Sequence, residues 1–233
     1  MSEVAVVVGV GPGLGWALCR TFARAGIRVA GAARNQDAVE KLAAAEPDLG
    51  VRAYACDVTR ADSVTALFDA VADDLGEPTL VASNAGAYVR GPVLDLDPAE
   101  LEQALGVSVM GALHVAQAAG RRMARAGRGT IVFTGATAAL RGAAGFAGLA
   151  VGKFGQRAIA QSLARELGPK GVHVAHVIVD GLILSERTRP FVKPGADTAL
   201  DPDDIAQTYL AVHRQRRSAW THELDLRPWV EKF

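Results

Sequence analysis

The sequence predicts an α/β protein, a doubly wound, mostly parallel sheet of about seven strands with helices on both faces. Short apolar runs rich in β-branched residues alternate with longer amphipathic segments along the chain. Glycines follow the first apolar run directly, where a strand would turn into a helix. The 233 residues are 50% hydrophobic, which is enough for one large core. We therefore expect a single domain over residues 1–233.

The first half of the chain alternates regularly between the two kinds of segment. Val4–Val8 is wholly apolar, as expected of a strand that is buried on both faces. The helix that follows has apolar residues at helical spacing and ends at Gly26, since glycine is common after helix C-termini. The same patterns predict strands within 27–34, 51–58 and 79–86, and helices over 36–46 and 60–75.

The second half continues the alternation. The predicted helices span 98–126, 148–168 and 202–215, and the predicted strands lie within 129–135, 172–181 and 219–228. Residues 184–200 contain two prolines and no clear periodicity, and they are predicted to form a long loop. Long loops in compact domains often serve as active-site lids.

Composition excludes several classes of protein. Lys plus Arg and Asp plus Glu both number 25, so bulk charge attracts neither nucleic acid nor an anionic membrane. No apolar run reaches the roughly 18 residues of a membrane helix, and the N-terminus lacks the basic region of a signal peptide. Cys19 and Cys56 lack the spacing of metal ligands. We expect a cytoplasmic protein with reduced cysteines and no metal.

The turn after the first strand carries the pattern G-x-x-x-G-x-G, formed by Gly9, Gly13 and Gly15, with Gly11 and Leu14 between them. Glycines at such a turn let the backbone approach a pyrophosphate at a helix N-terminus. A tight turn without a ligand would use glycines too. Because this turn joins the first strand to the first helix of an alternating chain, we interpret it as the dinucleotide site of a Rossmann-like domain.

The end of the second strand bears on which dinucleotide is bound. NAD sites place an acidic residue there to bind the ribose 2′-OH. This chain instead has Arg34, followed by Asn35, and a cation suits a 2′-phosphate. The sequence therefore favours NADP(H), with NAD(H) possible if Arg34 is only an exposed loop residue.

Further motifs in the same order resemble the short-chain dehydrogenase/reductase family over almost the whole chain. The resemblance implies that Asp57 and Val58 contact the adenine ring and that Lys153 binds the nicotinamide ribose. It also implies that two loops approach the nicotinamide, namely Asn84, Ala85 and Gly86 after the fourth strand, and the segment with Gly181 and Ile183 after the sixth.

The sequence departs from that family at its catalytic tetrad of Asn, Ser, Tyr and Lys. The Asn position is Ser108, the Ser position is Ala136 and the Tyr position is Leu149. Only Lys153 remains. No other lysine of the chain has a tyrosine four residues before it, so a shifted register cannot restore the motif.

Three interpretations of the missing acid stay open. Another group, such as Tyr88, Thr134 or Thr137, could supply the proton. Alternatively, the substrate could need no acid, since hydride addition to an iminium ion or a conjugated C=C bond requires none at that step. A pocket lined by Leu149, Phe146 and Leu140 would suit such a substrate. Finally, the protein could bind NADP(H) without catalysing a reaction, as a cofactor sensor or partner subunit.

Remaining features give weaker expectations. The family resemblance implies a small-molecule substrate and a homo-oligomer, a dimer or a tetramer, packed through the helices over 98–126 and 148–168. Asp180 stands where the family has a proline, so the loop beside the nicotinamide could be set differently. His173 and His176 fall on opposite faces of a strand, which argues against a shared metal site.

Overall fold

A computed structural model describes residues 3–192 and 197–231 and contains one seven-stranded sheet, in which every neighbouring pair is parallel. Its order is β3-β2-β1-β4-β5-β6-β9. The strands of this sheet are β1 (Val4–Val8), β2 (Arg28–Ala33), β3 (Arg52–Ala55), β4 (Leu80–Ser83), β5 (Gly129–Thr134), β6 (Val172–Val179) and β9 (Glu223–Leu226). The predicted fold class is confirmed.

Helices cover both faces of the sheet, as the apolar runs of the strands require. They are α1 (Leu14–Arg24), α2 (Gln36–Ala45), α3 (Ala61–Asp74), α4 (Pro98–Leu105), α5 (Gly111–Ala126), α6 (Ala147–Leu167) and α7 (Pro202–His213). One core layer contains Phe22 of α1 and Tyr209 of α7, and the other contains Phe68 of α3 and Met123 of α5. No helix in the described ranges has the length and apolarity needed to cross a membrane.

The strand order reverses between β1 and β4, and this reversal positions the site. From β1 the sheet continues through β2 to β3 on one side, and through β4, β5 and β6 to β9 on the other. The connections leaving β1 and β4 therefore go to opposite faces and open a crevice at the carboxyl ends of these strands. Val8 and Ser83 are paired at this end of β1 and β4.

Two predicted segments differ in detail. The helix expected over 98–126 contains a π-helical turn, Gly106–Met110, between α4 and α5. The loop expected over 184–200 is held at its base, because β7 (Leu182–Ile183) pairs in parallel with β8 (Ala199–Leu200). Part of that loop, residues 193–196, lies outside the described residues. Two-residue strands leave too little periodicity for the sequence to reveal them.

Candidate active site

The glycine turn between β1 and α1 is packed so closely that side chains are excluded at two positions. Gly9 has a φ of +98°, and a Cβ there would lie 2.6 Å from Ala85 Cα. A Cβ on Gly15 would lie 2.7 Å from Gly9 O. Gly13 caps α1 without a side-chain hydrogen bond, so no capping side chain covers the amides of Leu14 and Gly15, while the Trp16 amide donates to Gly11 O over 2.9 Å. A Cβ on Gly11 would meet nothing within 4 Å.

Leu14 plays a different part in this turn. Its side chain is buried in the core layer that contains Phe22, so only its backbone at the start of α1 is available to a ligand. The sequence prediction for Leu14 therefore concerns its amide rather than its side chain.

The Asn84–Gly86 segment forms the opposite wall of the crevice. Asn84 Nδ2 donates to Gly9 O over 2.8 Å, and Asn84 Oδ1 accepts from Thr134 Oγ1 over 3.0 Å. This side chain thus links the ends of β1, β4 and β5. A Cβ on Gly86 would lie 3.5 Å from Lys153 Nζ, so Gly86 lets the backbone lie directly against the lysine.

A cleft of about 1060 Å³ runs from the glycine turn along these walls. Nine of the residues predicted from sequence line it, namely Gly9, Gly11, Arg34, Asn35, Val58, Asn84, Ala85, Gly86 and Tyr88. Four other predicted residues belong to the same turns without lining it, namely Gly13, Leu14, Gly15 and Asp57. Five more lie outside its lining, namely Ser108, Thr137, Lys153, Gly181 and Ile183. A cleft of this size can take a large ligand.

Arg34 and Asp57 lie close together at the end of this cleft. Asp57 Oδ1 accepts from the amide and the hydroxyl of Thr59, at 3.0 and 2.7 Å. These hydrogen bonds are the main reason that the pKa of Asp57 is lowered, and the charges of Arg34 and Arg60 add to the effect. Arg34 itself is exposed, so its guanidinium is accessible from the cleft.

Lys153 is buried at the centre of the site, with 7% of its surface exposed. Its Nζ donates to Thr134 O over 2.6 Å and to Gln156 Oε1 over 3.2 Å. Burial lowers the pKa of Lys153 to about 8. A buried cation held by neutral acceptors next to Gly86 is well placed to bind hydroxyl groups of a ligand.

The candidate acids differ in how their hydroxyls are used. Tyr88 is 55% exposed, and its ring packs edge-on against Phe146, 6.4 Å between centroids. Thr134 is buried between Asn84 Oδ1 and the Tyr209 hydroxyl, which lies 2.8 Å away. The Thr137 hydroxyl donates to Asp180 Oδ1. The structure thus directs the hydrogens of both threonines to groups within the protein.

Ser108, the residue at the family's asparagine position, lies in the π-helical turn. It is buried, and its Oγ accepts the amide of Ala87 over 3.2 Å. A Cβ on Gly152 would lie 2.9 Å from Ser108 Cβ, so α6 packs tightly here. Ser108 thus links the segment that follows β4 to the π-helical turn, which packs closely against Gly152 of α6.

Gly181 and Ile183 follow β6 at the same edge of the sheet. Gly181 has a φ of +147°, and a Cβ there would lie 2.9 Å from Leu200 Cδ1. Ile183 is half-buried against the core. Asp180, which precedes them, is the residue whose importance the sequence understated. A carboxylate directly after the eight-residue buried strand β6 was the available signal.

The two histidines of β6 have structural roles, as expected. The His173 ring stacks on Trp220, 4.8 Å between centroids. His176 Nδ1 pairs with Glu223 Oε2 at 2.9 Å, and Arg157 binds the same carboxylate through two nitrogens at 2.7 Å each. Among the residues that the structure describes, no group of His, Cys, Asp or Glu could hold a metal ion.

The site as a whole fits a dinucleotide. Three features meet at one end of the sheet, namely the uncapped start of α1, the two glycines that allow close backbone approach and the buried Lys153. The first two suit a pyrophosphate and the third suits ribose hydroxyls. The large cleft leads from them to Arg34.

Comparison with known proteins agrees with this fit. Residues 3–194 match the family model described as short chain dehydrogenase. D-threitol dehydrogenase of Mycolicibacterium smegmatis is 34% identical over 187 residues, which cover 79% of this chain and 72% of that one.

Solved structures superpose closely on the chain. A short-chain dehydrogenase from Rhodopseudomonas palustris has a TM-score of 0.84 and 33% identity, covering 97% of this chain and 99% of the other. An alcohol dehydrogenase from the archaeon Thermococcus sibiricus, complexed with 5-hydroxy-NADP, has a TM-score of 0.87 and 25% identity, covering 100% and 99%.

Proposed function

Because this chain belongs to the short-chain dehydrogenase family, we propose that it is an NADP(H)-dependent oxidoreductase that handles the proton without the family's tyrosine. The observation that carries the proposal is the meeting of the glycine turn, the Asn84–Gly86 segment and the buried Lys153 at one crevice. When bound, the nicotinamide supplies or accepts a hydride. The substrate is a small molecule with a C=O, C=N or C=C bond.

Each part of the site has a role in this proposal. The amides at the start of α1 bind the pyrophosphate, while Asp57 and Val58 lie beside the adenine. Lys153 donates to the nicotinamide ribose, and Gly181 and Ile183 approach the nicotinamide. Desolvation strengthens the hydrogen bonds that Lys153 makes there.

The preference for NADP(H) rests on Arg34. Its exposed guanidinium lies at the cleft, where no acidic side chain follows β2 directly. Titration with NADPH and NADH, followed by fluorescence, tests this in the wild type and in Arg34→Ala. We expect NADPH to bind about tenfold or more weakly to the variant and NADH to change by less than about twofold. Arg121→Ala, an exposed arginine of α5, is the matched control. Equal changes for the two cofactors would refute the role of Arg34.

Proton handling is the least conventional part of the proposal. Leu149 and Ala136 carry no donor, and the hydroxyls of Thr134 and Thr137 donate within the protein. Screening NADPH oxidation against ketones, imines and enones identifies the substrate class. If simple ketones are reduced and the rate survives Tyr88→Phe, Thr134→Val and Thr137→Val, none of these residues replaces the tyrosine.

A second candidate function is a silent NADP(H)-binding protein, a cofactor sensor or partner subunit. The internal hydrogen bonds of the site hydroxyls favour it, because they leave the cofactor site without an evident acid. Saturable NADPH binding without turnover of any screened class would support this candidate over the enzyme. Absence of NADPH binding would contradict both.

The proposed assembly is a homo-oligomer, a dimer or a tetramer. Met110 before α5, and Val151 and Phe154 on α6, are large apolar side chains that remain exposed in the single chain. Light scattering of the wild type and of Phe154→Glu tests this. A monomeric wild type would refute the assembly.

A further inference from the structure

A carboxylate is hydrogen-bonded to the residue that follows Ala136, which stands at the family's serine position. Thr137, next to Ala136, donates its hydroxyl hydrogen to Asp180 Oδ1. Asp180 is 8% exposed, and its Oδ2 lies 3.6 Å from Arg227 Nη1. Arg227 is shared with Asp225, whose Oδ2 lies 3.1 Å from its Nη2. Asp180 is therefore paired with a guanidinium that also binds a second carboxylate.

The carboxylate lies at the carboxyl end of β6, beside the strand whose last residue holds Lys153. Asp180 directly follows β6, and its amide donates to Leu226 O of β9 over 2.8 Å. Thr137 begins a short 3₁₀ turn after the neighbouring strand β5, and α6 packs against this turn. Thr134, at the end of β5, is also the residue whose carbonyl holds Lys153. Thr137, Asp180 and Lys153 are therefore grouped at the carboxyl ends of two adjacent strands.

The protein groups at this place offer a ligand hydrogen-bond acceptors rather than donors. Because the Thr137 hydrogen points to Asp180, the hydroxyl has only lone pairs left to offer a ligand. Thr134 donates to Asn84 and is buried, while Ala136 and Leu149 have no polar side-chain atoms. A carbonyl oxygen here would meet lone pairs and a negative charge. A protonated nitrogen, which donates hydrogen bonds and is positively charged, would be stabilised by these same lone pairs and this negative charge.

Lys153 opposes this polarity less than its charge suggests. Its ammonium group is engaged by Thr134 O and Gln156 Oε1 and lies against Gly86, on the wall assigned to the cofactor ribose. Asp180 and Thr137 therefore set the polarity at the substrate.

We propose that the substrate of this site carries a positively charged nitrogen in an iminium ion, recognised by Thr137 with Asp180 behind it, and that the reverse reaction takes the neutral amine. The inference rests on the proposed oxidoreductase function. Hydride from the reduced nicotinamide forms the new C–H bond, and the C=N π pair becomes the nitrogen lone pair. The iminium is reduced to a neutral amine and the nicotinamide is oxidised. No acid has to deliver a proton at this step, which is consistent with leucine at position 149.

Binding of two matched probes tests the inference without turnover. 2-Methylpyrrolidine is protonated at neutral pH, and 2-methyltetrahydrofuran has the same shape with oxygen in place of the nitrogen. We expect the protein saturated with NADPH, which cannot oxidise the amine, to bind the cation about tenfold or more tightly in calorimetric titrations, as one hydrogen bond to a charged group allows. Asp180→Asn should reduce this preference to less than about threefold, because it removes the negative charge behind Thr137.

Control variants separate the effect of the Asp180 charge from that of the Thr137 hydroxyl and from a failure to fold. Asp73→Asn removes an exposed carboxylate of α3 and should keep the preference for the cation. Thr137→Val should abolish the preference and Thr137→Ser should restore it, so the test stands even if Asp180→Asn does not fold. Equal affinity for both probes in the wild type, or a preference that survives Thr137→Val, would overturn the inference. If NADPH itself fails to bind, the proposed function fails instead.

Discussion

Replacing Gly9 with alanine probes the geometry on which the cofactor site depends. Gly9 has a φ of +98°, where a Cβ is strained, and that Cβ would lie 2.6 Å from Ala85 Cα and 2.9 Å from the Asn84 carbonyl carbon. Both neighbours are backbone atoms of a segment fixed by the Asn84 side chain, so they cannot rotate away. The Gly9→Ala substitution must therefore push β1 and β4 apart.

The magnitude follows from two costs. An alanine at positive φ costs roughly 1–2 kcal/mol, and overpacking adds roughly 1–3 kcal/mol, so we expect a loss of about 3 kcal/mol in the free energy of unfolding. For a chain of this size that corresponds to a melting temperature lower by about 6–12 °C.

Urea denaturation of the cofactor-free protein measures this loss, with Gly11→Ala as the control. A Cβ on Gly11 would meet nothing within 4 Å, and Gly11 is not at positive φ, so its free energy of unfolding should change by less than about 0.5 kcal/mol. If Gly9→Ala is as stable as Gly11→Ala, the close approach of the glycine turn to the Asn84–Gly86 segment is refuted.

Two further predictions concern charged groups. Below about pH 8 the wild type bears the cost of a buried ammonium at Lys153, and between about 8 and 10.5 the folded state releases this proton before the unfolded state does. The free energy of unfolding of the wild type should therefore rise relative to that of Lys153→Met across this pH window, as measured by urea denaturation at a series of pH values. If the difference between the two proteins does not change with pH, the burial of the charge is contradicted. Arg157→Ala, which removes the two-point contact to Glu223, should cost about 1 kcal/mol in urea denaturation. Arg24→Ala, whose exposed pair is 3.4 Å apart, should cost less than about 0.5 kcal/mol, and the reverse order would refute this ranking.

Much of the fold follows from periodicity in the sequence. Short runs such as Val4–Val8 and the mostly apolar 172–179 are typical of strands covered on both faces, and both are fully buried in the structure. Glycines next to the first run indicated the turn, because few other residues allow a φ such as that of Gly9. These features are local, and each is encoded within about ten residues.

Features that depend on distant contacts could not be predicted. The π-helical turn at Ser108 depends on a hydrogen bond to Ala87 and on the proximity of Gly152, both far along the chain. The direction of the Thr137 hydroxyl likewise depends on Asp180, 43 residues later. The sequence identified Thr137 as a candidate acid, but only the fold shows that its hydrogen is directed to a carboxylate.

The central claim is that this protein keeps the cofactor and dispenses with the tyrosine. NADPH oxidation with 2-methyl-1-pyrroline and with 2-methylcyclopentanone, a ketone of similar size, tests it most directly. We predict saturable oxidation with the imine, and a ketone rate lower by at least about 100-fold, the usual contribution of a positioned acid. Equal rates on the two substrates, or a faster ketone, would contradict the account.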